Sequence, residues 1–380
     1  MGNFCTLRQM IIRNLEYNPD RTALFEGERK YSFKEFADRT RSIGNALLGF
    51  GLKKGDRVAI LSKNSIENAE SYFSIPNAGL VMVMLNFRLA PPEILSILKD
   101  SGASVLMVNE EYFPQYEQIK GELDFVKKFI FIGDKAKTPA GWYHYETLIA
   151  ETPSHEPEVE VFEEDLAALM YTSGTTGAAK GCMATHSNYY HAGRSLTLEM
   201  KMNRDDMGII ASPLFHATGE VVLMNDMYSG TPSVILTAWD TVEFMRLVEK
   251  HKVTTGMLAT PMLLFLVQHP DAEKYNLSSL KKIFFAGAPV TPIVFQKAIE
   301  RFGNVFVHLF GTTETVGQAT ILRTEEIADA LKEGRTDILA SCGRSFADMQ
   351  SQVVDEEDRP VPPGAVGEMR VRGLGTTRGD

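Results

Sequence analysis

The residues best suited to chemistry lie in one run, Tyr171-Thr172-Ser173-Gly174-Thr175-Thr176-Gly177-Ala178-Ala179-Lys180-Gly181, directly behind an apolar stretch. Its glycines let the backbone approach a ligand closely and adopt positive φ. Hydroxyls on Thr172, Ser173, Thr175 and Thr176 offer donors, and Lys180 adds a cation beside them. Such a set suits the oxygens of a polyphosphate, which are held by backbone N–H and hydroxyl donors. A flexible surface turn would have no reason to keep those groups behind a buried strand. It is not a Walker A loop, because Gly174 and Gly177 are too close together and Lys180 is followed by glycine rather than Ser or Thr.

Two further side chains invite a chemical reading. Glu314 stands directly after Phe310-Gly311-Thr312-Thr313 and an apolar run. It reads as a metal-binding carboxylate, with an ordinary acid at a helix N-terminus as the alternative. His216 reads, on its own, either as a core histidine or as a site residue, since histidine is intermediate in burial. The cluster Leu223, Met224, Met227 and Tyr228 reads as core packing.

The elements that must position these groups alternate between strand and helix. Ser32-Phe33-Lys34-Glu35 is a capping box opening an amphipathic helix that stops at Gly51. Strand-length apolar runs follow at 57–61, 81–87, 104–108 and 128–132, and a second set at 166–171, 207–212, 233–236, 254–258, 282–285 and 304–309. Helices are expected over 241–251 and from Thr291-Pro292 to Gly303. This is the βαβ rhythm of mostly parallel sheets covered by helices. It predicts an α/β fold with two doubly wound subdomains, residues 1–160 and 161–340, divided at the polar, proline-bearing stretch 151–164. Past about residue 341 the pattern becomes alternating strands around a turn, 349–355 and 367–372, which predicts an incomplete, β-barrel-like subdomain over 341–380.

Composition removes other classes. The 380 residues carry a formal net charge of −10 with no Lys/Arg block, so the chain is a poor candidate for a phosphate-backbone binder and no nucleic-acid partner is expected, since that affinity is chiefly electrostatic. Cys5, Cys182 and Cys342 are few and scattered, as expected of reduced thiols in a cytoplasmic protein rather than of a disulfide or zinc framework. The longest apolar runs, 78–85 and 256–267, are too short to span a bilayer.

The run from Tyr171 to Gly181 resembles the YTSGTTGxPKG signature of the adenylate-forming acyl- and aryl-CoA synthetases. Further motifs occur in that superfamily's order. Ser212-Pro213-Leu214-Phe215-His216 is similar to its aromatic/His motif, Ala286-Gly287-Ala288-Pro289 to its GGAP turn, and Phe310-Gly311-Thr312-Thr313-Glu314 to YGxTE. Val354-Asp355 through Gly367-Glu368 resembles VDEDGxxVPPGExGE, and Tyr31-Ser32-Phe33-Lys34-Glu35 and Asn86-Phe87-Arg88-Leu89 also fit. The resemblance implies adenylation of a carboxylic acid by ATP, followed by thioester formation with coenzyme A, in fatty or aromatic acid metabolism. It implies that Thr172, Ser173, Gly174, Thr175, Thr176, Gly177 and Lys180 hold phosphates and that Glu314 and Thr175 position Mg²⁺. It further implies that Gly287, Ala288 and Pro289 flank adenine, that Phe310 stacks on it beside Gly311, Thr312 and Thr313, and that His216 walls the carboxylate pocket. Thr172, Lys180, His216 and Glu314 are then the catalytic set. The rivals are an adenylating enzyme that feeds a carrier protein and a nucleotide-binding regulator without catalysis.

Three departures stand out. Ala179 replaces the usual Pro, Phe310 replaces Tyr, and Gly379-Asp380 does not align with the ribose-binding TGD. The family's hinge and its small C-terminal domain with a reacting-site lysine are not found in this sequence, so it reads as the large N-terminal portion of a longer enzyme. The 380-residue chain is therefore expected to bind nucleotide weakly and turn over slowly. An assay of carboxylate-dependent pyrophosphate release checks this, and fast release is the contrary outcome.

Overall fold

A computed structural model describes residues 4–172, 179–288 and 290–379. Among these residues the strands form three sheets. The first is ordered Tyr143–His144, Lys128–Ile132, Val105–Asn109, Arg57–Leu61, Val81–Leu85, Leu166–Thr172, Lys180–Thr185. It is parallel except for the last pair. The second is ordered Arg344–Ser345, Thr320–Leu322, Phe306–Phe310, Lys282–Ala286, Thr255–Ala259, Gly208–Ile210, Ser233–Ile235, Thr22–Glu26, Arg29–Ser32. Its interior is parallel and its ends are antiparallel. The third is the hairpin of Met349–Val354 with Glu368–Gly373.

The sheets do not part at the 151–164 stretch that the sequence suggested as a boundary. Leu166–Thr172 pairs back onto Val81–Leu85 in the first sheet, and Thr22–Glu26 pairs with Ser233–Ile235 in the second. Each half of the chain lends strands to the sheet built mainly by the other.

Alternation along the strands sorts the core into layers. Val58 and Ile60 face a central helical layer, while Ala59 and Leu61 pack with Leu95, Leu98 and Tyr116 on the outer face of the first sheet. In the second sheet Ile210 and Ile235 face the centre, and Ile209 and Val234 face outward onto Phe244, Leu263 and Phe295. The central layer contains Leu7–Tyr17, Phe33–Gly49, Ile66–Asn77, His186–Glu199 and Ala217–Ser229, and the two sheets share it. The helix Phe33–Gly49 starts at a capping box, in which the Glu35 amide donates to Ser32 Oγ at 3.1 Å and the Ser32 amide to the Glu35 carboxylate at 2.7 Å.

Helix Ile66–Asn77 is buried along its whole length. A helix enclosed on every side must pair its polar groups internally. Glu67 pairs with Arg29, and Glu70, fully buried, pairs with Arg39, which also reaches Glu146 at 2.6 Å. The Tyr145 hydroxyl donates to Glu70 at 2.9 Å. Arg39→Leu leaves that carboxylate enclosed without its counter-charge and is expected to cost about 3–5 kcal/mol. Adding Glu70→Leu should recover much of the loss, and urea unfolding of both variants measures it.

Candidate active site

Strand ends from both sheets converge on one cavity of about 460 Å³. Met84, Met170, Tyr171 and Thr172 come from the first sheet. Phe215, His216 and Ala217 come from the turn entering helix Ala217–Ser229, and Thr313 from the turn after Phe306–Phe310. Asn86, Leu89, Glu93, Ser96, Ile97 and Ala179 complete the lining. Ligands of open α/β sheets sit at the carboxyl ends of such strands. Thr172, His216 and Thr313, far apart in sequence, are brought to one space.

The two ends of the hydroxyl-rich run are held by strand pairing. Thr172 and Lys180 are register partners across the antiparallel pair that closes the first sheet, so both side chains leave the same face. Lys180 is exposed and Thr172 half-buried. Tyr171, one residue earlier, donates its hydroxyl to Asp100 at 2.5 Å. Burial, then that carboxylate, push its pKa well above the usual tyrosine value. Ser173, Gly174, Thr175, Thr176 and Gly177 lie outside the described residues, as does Pro289.

Gly287 and Phe310 leave neighbouring parallel strands at the same end, since Phe285 registers with His308. Gly287 has φ +94°, which a side chain would strain, and the open space beside it leaves its peptide accessible. The buried Thr260 hydroxyl fixes this turn, lying 2.7 Å from the Ala288 carbonyl and 3.2 Å from that of Ala286. Phe310 is 38% exposed, open enough for its ring to meet a ligand. Behind it His308 stacks on Phe285 with ring centres 4.7 Å apart and planes 6° from parallel.

Glu314 projects from a short turn over Thr313–Thr315 and is exposed. A Cβ at Gly311 would lie 2.3 Å from the Gly317 carbonyl carbon, so only glycine fits where this turn doubles back. Val316, buried, holds φ +48°, a costly conformation for a β-branched residue and one that persists where the surroundings over-determine it. The Glu314 carbonyl accepts from the Thr377 amide at 2.8 Å, and Met183, on the Lys180 strand, exchanges backbone hydrogen bonds with Arg378 and Gly379. The Asn188 amide group donates to the Leu374 and Thr376 carbonyls at 3.0 and 2.9 Å. The 374–379 segment thereby ties the Glu314 turn to the Lys180 strand.

His216 is exposed at the cavity and caps helix Ala217–Ser229, its Nδ1 lying 3.3 Å from the Thr218 hydroxyl. Desolvation by the surrounding protein, with the Arg88 charge adding to it, holds its pKa below the usual histidine value, which favours neutral imidazole. Arg88 lies near the rings of Phe87 and Phe215. Leu223, Met224 and Met227 are buried in the central layer, as their spacing suggests. Met84, Glu93, Ser96, Ile97 and Met170 were not singled out by sequence. Each is an ordinary strand or helix residue, and nothing in its spacing marks it as facing a cavity.

With the fold and the cavity defined, the chain can be assigned to a family: it belongs to the AMP-binding enzymes, matching over residues 12–379. It is 30% identical over 369 residues to a feruloyl-CoA synthase from an Amycolatopsis species, an alignment covering 97% of this chain and 70% of that protein. It is 27% identical to a fatty acid–acyl-carrier-protein ligase from Streptomyces coeruleorubidus, with 96% of this chain and 68% of the relative aligned. A solved anthranilate CoA ligase in complex with anthranoyl-AMP superposes with a TM-score of 0.91 at 26% identity, covering 99% of this chain and 70% of that one.

One buried acid near the site gives a pH signature. Glu220, fully enclosed four residues after His216, accepts from the Tyr189 hydroxyl at 3.0 Å, and its Oε1 has no partner among the described residues. Burial pushes its pKa up to about 8 from 4.5. Because the folded protein keeps this proton to higher pH than the unfolded chain, its contribution to stability is complete below about pH 4.5 and is lost as pH rises towards 8. Asp226, pushed up to about 7 by burial on the same helix, acts in the same direction. Glu220→Gln should therefore flatten part of the fall in the urea midpoint between pH 5 and 8.5, gaining relative to wild type at the alkaline end.

Proposed function

We propose that this chain carries the nucleotide- and carboxylate-binding portion of an AMP-forming carboxylate–CoA ligase. The observation that carries this reading is the cavity that joins Thr172, beside the Lys180 strand, to His216 and Thr313, in a chain that belongs to the AMP-binding enzymes. In the first step a carboxylate oxygen bonds to the α-phosphorus of ATP, the α–β phosphoanhydride bond breaks, and pyrophosphate leaves. In the second the coenzyme A thiol bonds to the acyl carbon, the bond from that carbon to the oxygen of the mixed acyl–phosphate anhydride breaks, the thiol proton passes to solvent, and AMP leaves.

The first step joins two anions, so catalysis must come chiefly from positioned cations and donors. Lys180, with the Thr172 hydroxyl and the run that follows it, supplies them to the phosphates. Phe310 offers its exposed ring to adenine, and the Gly287–Ala288 turn borders the same edge. His216, kept neutral, adds no charge next to the carboxylate and provides a wall between acyl group and α-phosphate. Magnesium is proposed as the metal. Glu314 is an exposed hard oxygen donor on a turn tied to the Lys180 strand, and Mg²⁺ is commonly held by one or two carboxylates with substrate phosphates and water. It would neutralise phosphate charge there.

The acceptor is proposed to be coenzyme A. Transfer to a carrier protein is the second reading, favoured by the similarity to the Streptomyces ligase. The acid itself is a small molecule of the acyl or aryl class.

Thermal unfolding with AMP, with Mg-ATP and with inert acyl-adenylate mimics bearing short, long or aryl groups tests the proposal. A ligand at a hundredfold excess over its Kd stabilises the native state by about 2.7 kcal/mol. At least one mimic should raise Tm beyond AMP. His216→Ala should remove that acyl-dependent increment, whereas Glu314→Gln should weaken Mg-ATP about tenfold and leave the metal-free mimic within twofold. If no acyl group adds anything to AMP, the ligase reading falls and the regulator reading replaces it.

A further inference from the structure

The segment that delivers His216, in the lobe built around the second sheet, is held by side chains from the lobe built around the first. Between strand Gly208–Ile210 and helix Ala217–Ser229 the chain runs through Ser212, Pro213 and Leu214. Asn64, only 3% exposed, reaches it from the turn after strand Arg57–Leu61 in the first sheet. Its Nδ2 donates to the Ser212 carbonyl at 3.0 Å and to the Leu236 carbonyl at 3.2 Å, and its Oδ1 accepts from the Leu214 amide at 2.8 Å. Tyr72, fully buried on helix Ile66–Asn77, donates its hydroxyl to the Leu214 carbonyl. Both backbone polar groups of Leu214 are thus satisfied by side chains of the first lobe.

The same contacts continue into the helix that His216 caps. Tyr72 oxygen lies 3.5 Å from Glu220 Oε2, the atom that accepts from Tyr189, and the two tyrosine rings meet edge to face at 6.3 Å. Close backbone approach locks the turn from its own side, since a Cβ on Gly219 would lie 2.2 Å from the Pro213 carbonyl oxygen. Phe215 and His216 emerge from this turn directly into the cavity. An amide and a phenol, neither of which lines that cavity, therefore fix where its His216 wall stands relative to Thr172 on the first sheet.

We propose that Asn64 and Tyr72 are positioning residues for the Phe215–His216 wall, coupling the first lobe to the acyl end of the site and leaving the adenine end untouched. The role rests on the ligase reading for its chemistry and on the hydrogen bonds alone for its geometry. Removing either side chain should free the 212–219 turn and relax the wall, while Gly287 and Phe310, held by other strands, stay in place.

Hydrogen exchange and ligand binding on the 380-residue chain, wild type beside Asn64→Ala and Tyr72→Phe, separate these contributions. Exchange of the 212–219 peptide should quicken at least tenfold in each variant, with strand peptides 57–61 and 282–286 unchanged. The Kd of the best acyl-adenylate mimic should rise about tenfold and that of AMP less than twofold. Unchanged exchange at 212–219, or equal loss of both ligands, overturns the proposal. Should Asn64→Ala fail to fold, Tyr72→Phe decides, because it deletes a single oxygen. If wild type binds no mimic better than AMP, the ligase reading is what has failed, and the exchange data still judge the clamp.

Discussion

Within the helix layer that the two sheets share, Ile66–Asn77 is buried along its whole length and can send no polar side chain to solvent, and much of the surrounding architecture follows from how that restriction is met. Helix Ile66–Asn77 lies in that layer and carries two glutamates. In a low-dielectric interior an unpaired carboxylate costs far more than any single packing contact returns. Arg29 and Arg39 therefore have to reach inward from neighbouring elements. Arg39 lies on the helix Phe33–Gly49, and Arg29 on a strand that completes the second sheet. The pairings consequently fix how the first lobe's helices sit against the second sheet.

The site inherits its precision from that layer. Its cavity borrows strand ends from one sheet and a helix entrance from the other, so any slip between sheets would separate Thr172 from His216. Hydrogen bonds from Asn64 and Tyr72 into the Ser212–Leu214 backbone cross the same boundary. Directional bonds suit this task better than apolar contacts, which tolerate sliding. Within the site, backbone strain falls at the Glu314 turn, where Val316 and the close approach of Gly311 to Gly317 hold an exposed carboxylate on a tightly wound support.

Local pattern made many elements legible. The strands Arg57–Leu61 and Lys128–Ile132 and the helices Thr241–His251 and Pro292–Phe302 stand where periodicity, Pro at the first turn and glycine stops put them. Nothing in the local pattern marks Thr22–Glu26 or Arg29–Ser32 as strands. Their sequences carry little β-branched character, and they are strands because they pair with Ser233–Ile235 and with each other. The hydroxyl-rich run ends at Gly181 and nothing in the pattern marks Lys180–Thr185 as a strand; pairing with Leu166–Thr172 makes it one. Of the cavity's lining, Thr172, His216 and Thr313 stand in runs where glycines, hydroxyls and single charges break an apolar pattern. Met84, Ile97 and Met170 carry no such break and were invisible.

By itself the sequence determined the α/β class, the alternation of elements and the run of motifs that marks an AMP-binding enzyme, because each of these depends on residues close together along the chain. Which strands share a sheet, which acids are buried and which side chains from opposite lobes meet around His216 were decided only by the tertiary structure. Those are contacts between residues from about thirty to more than a hundred positions apart, as between Arg39 and Glu70 or Asn64 and Ser212. No period or spacing in a single chain encodes them, and they exist only once both sheets have closed on the helices they share.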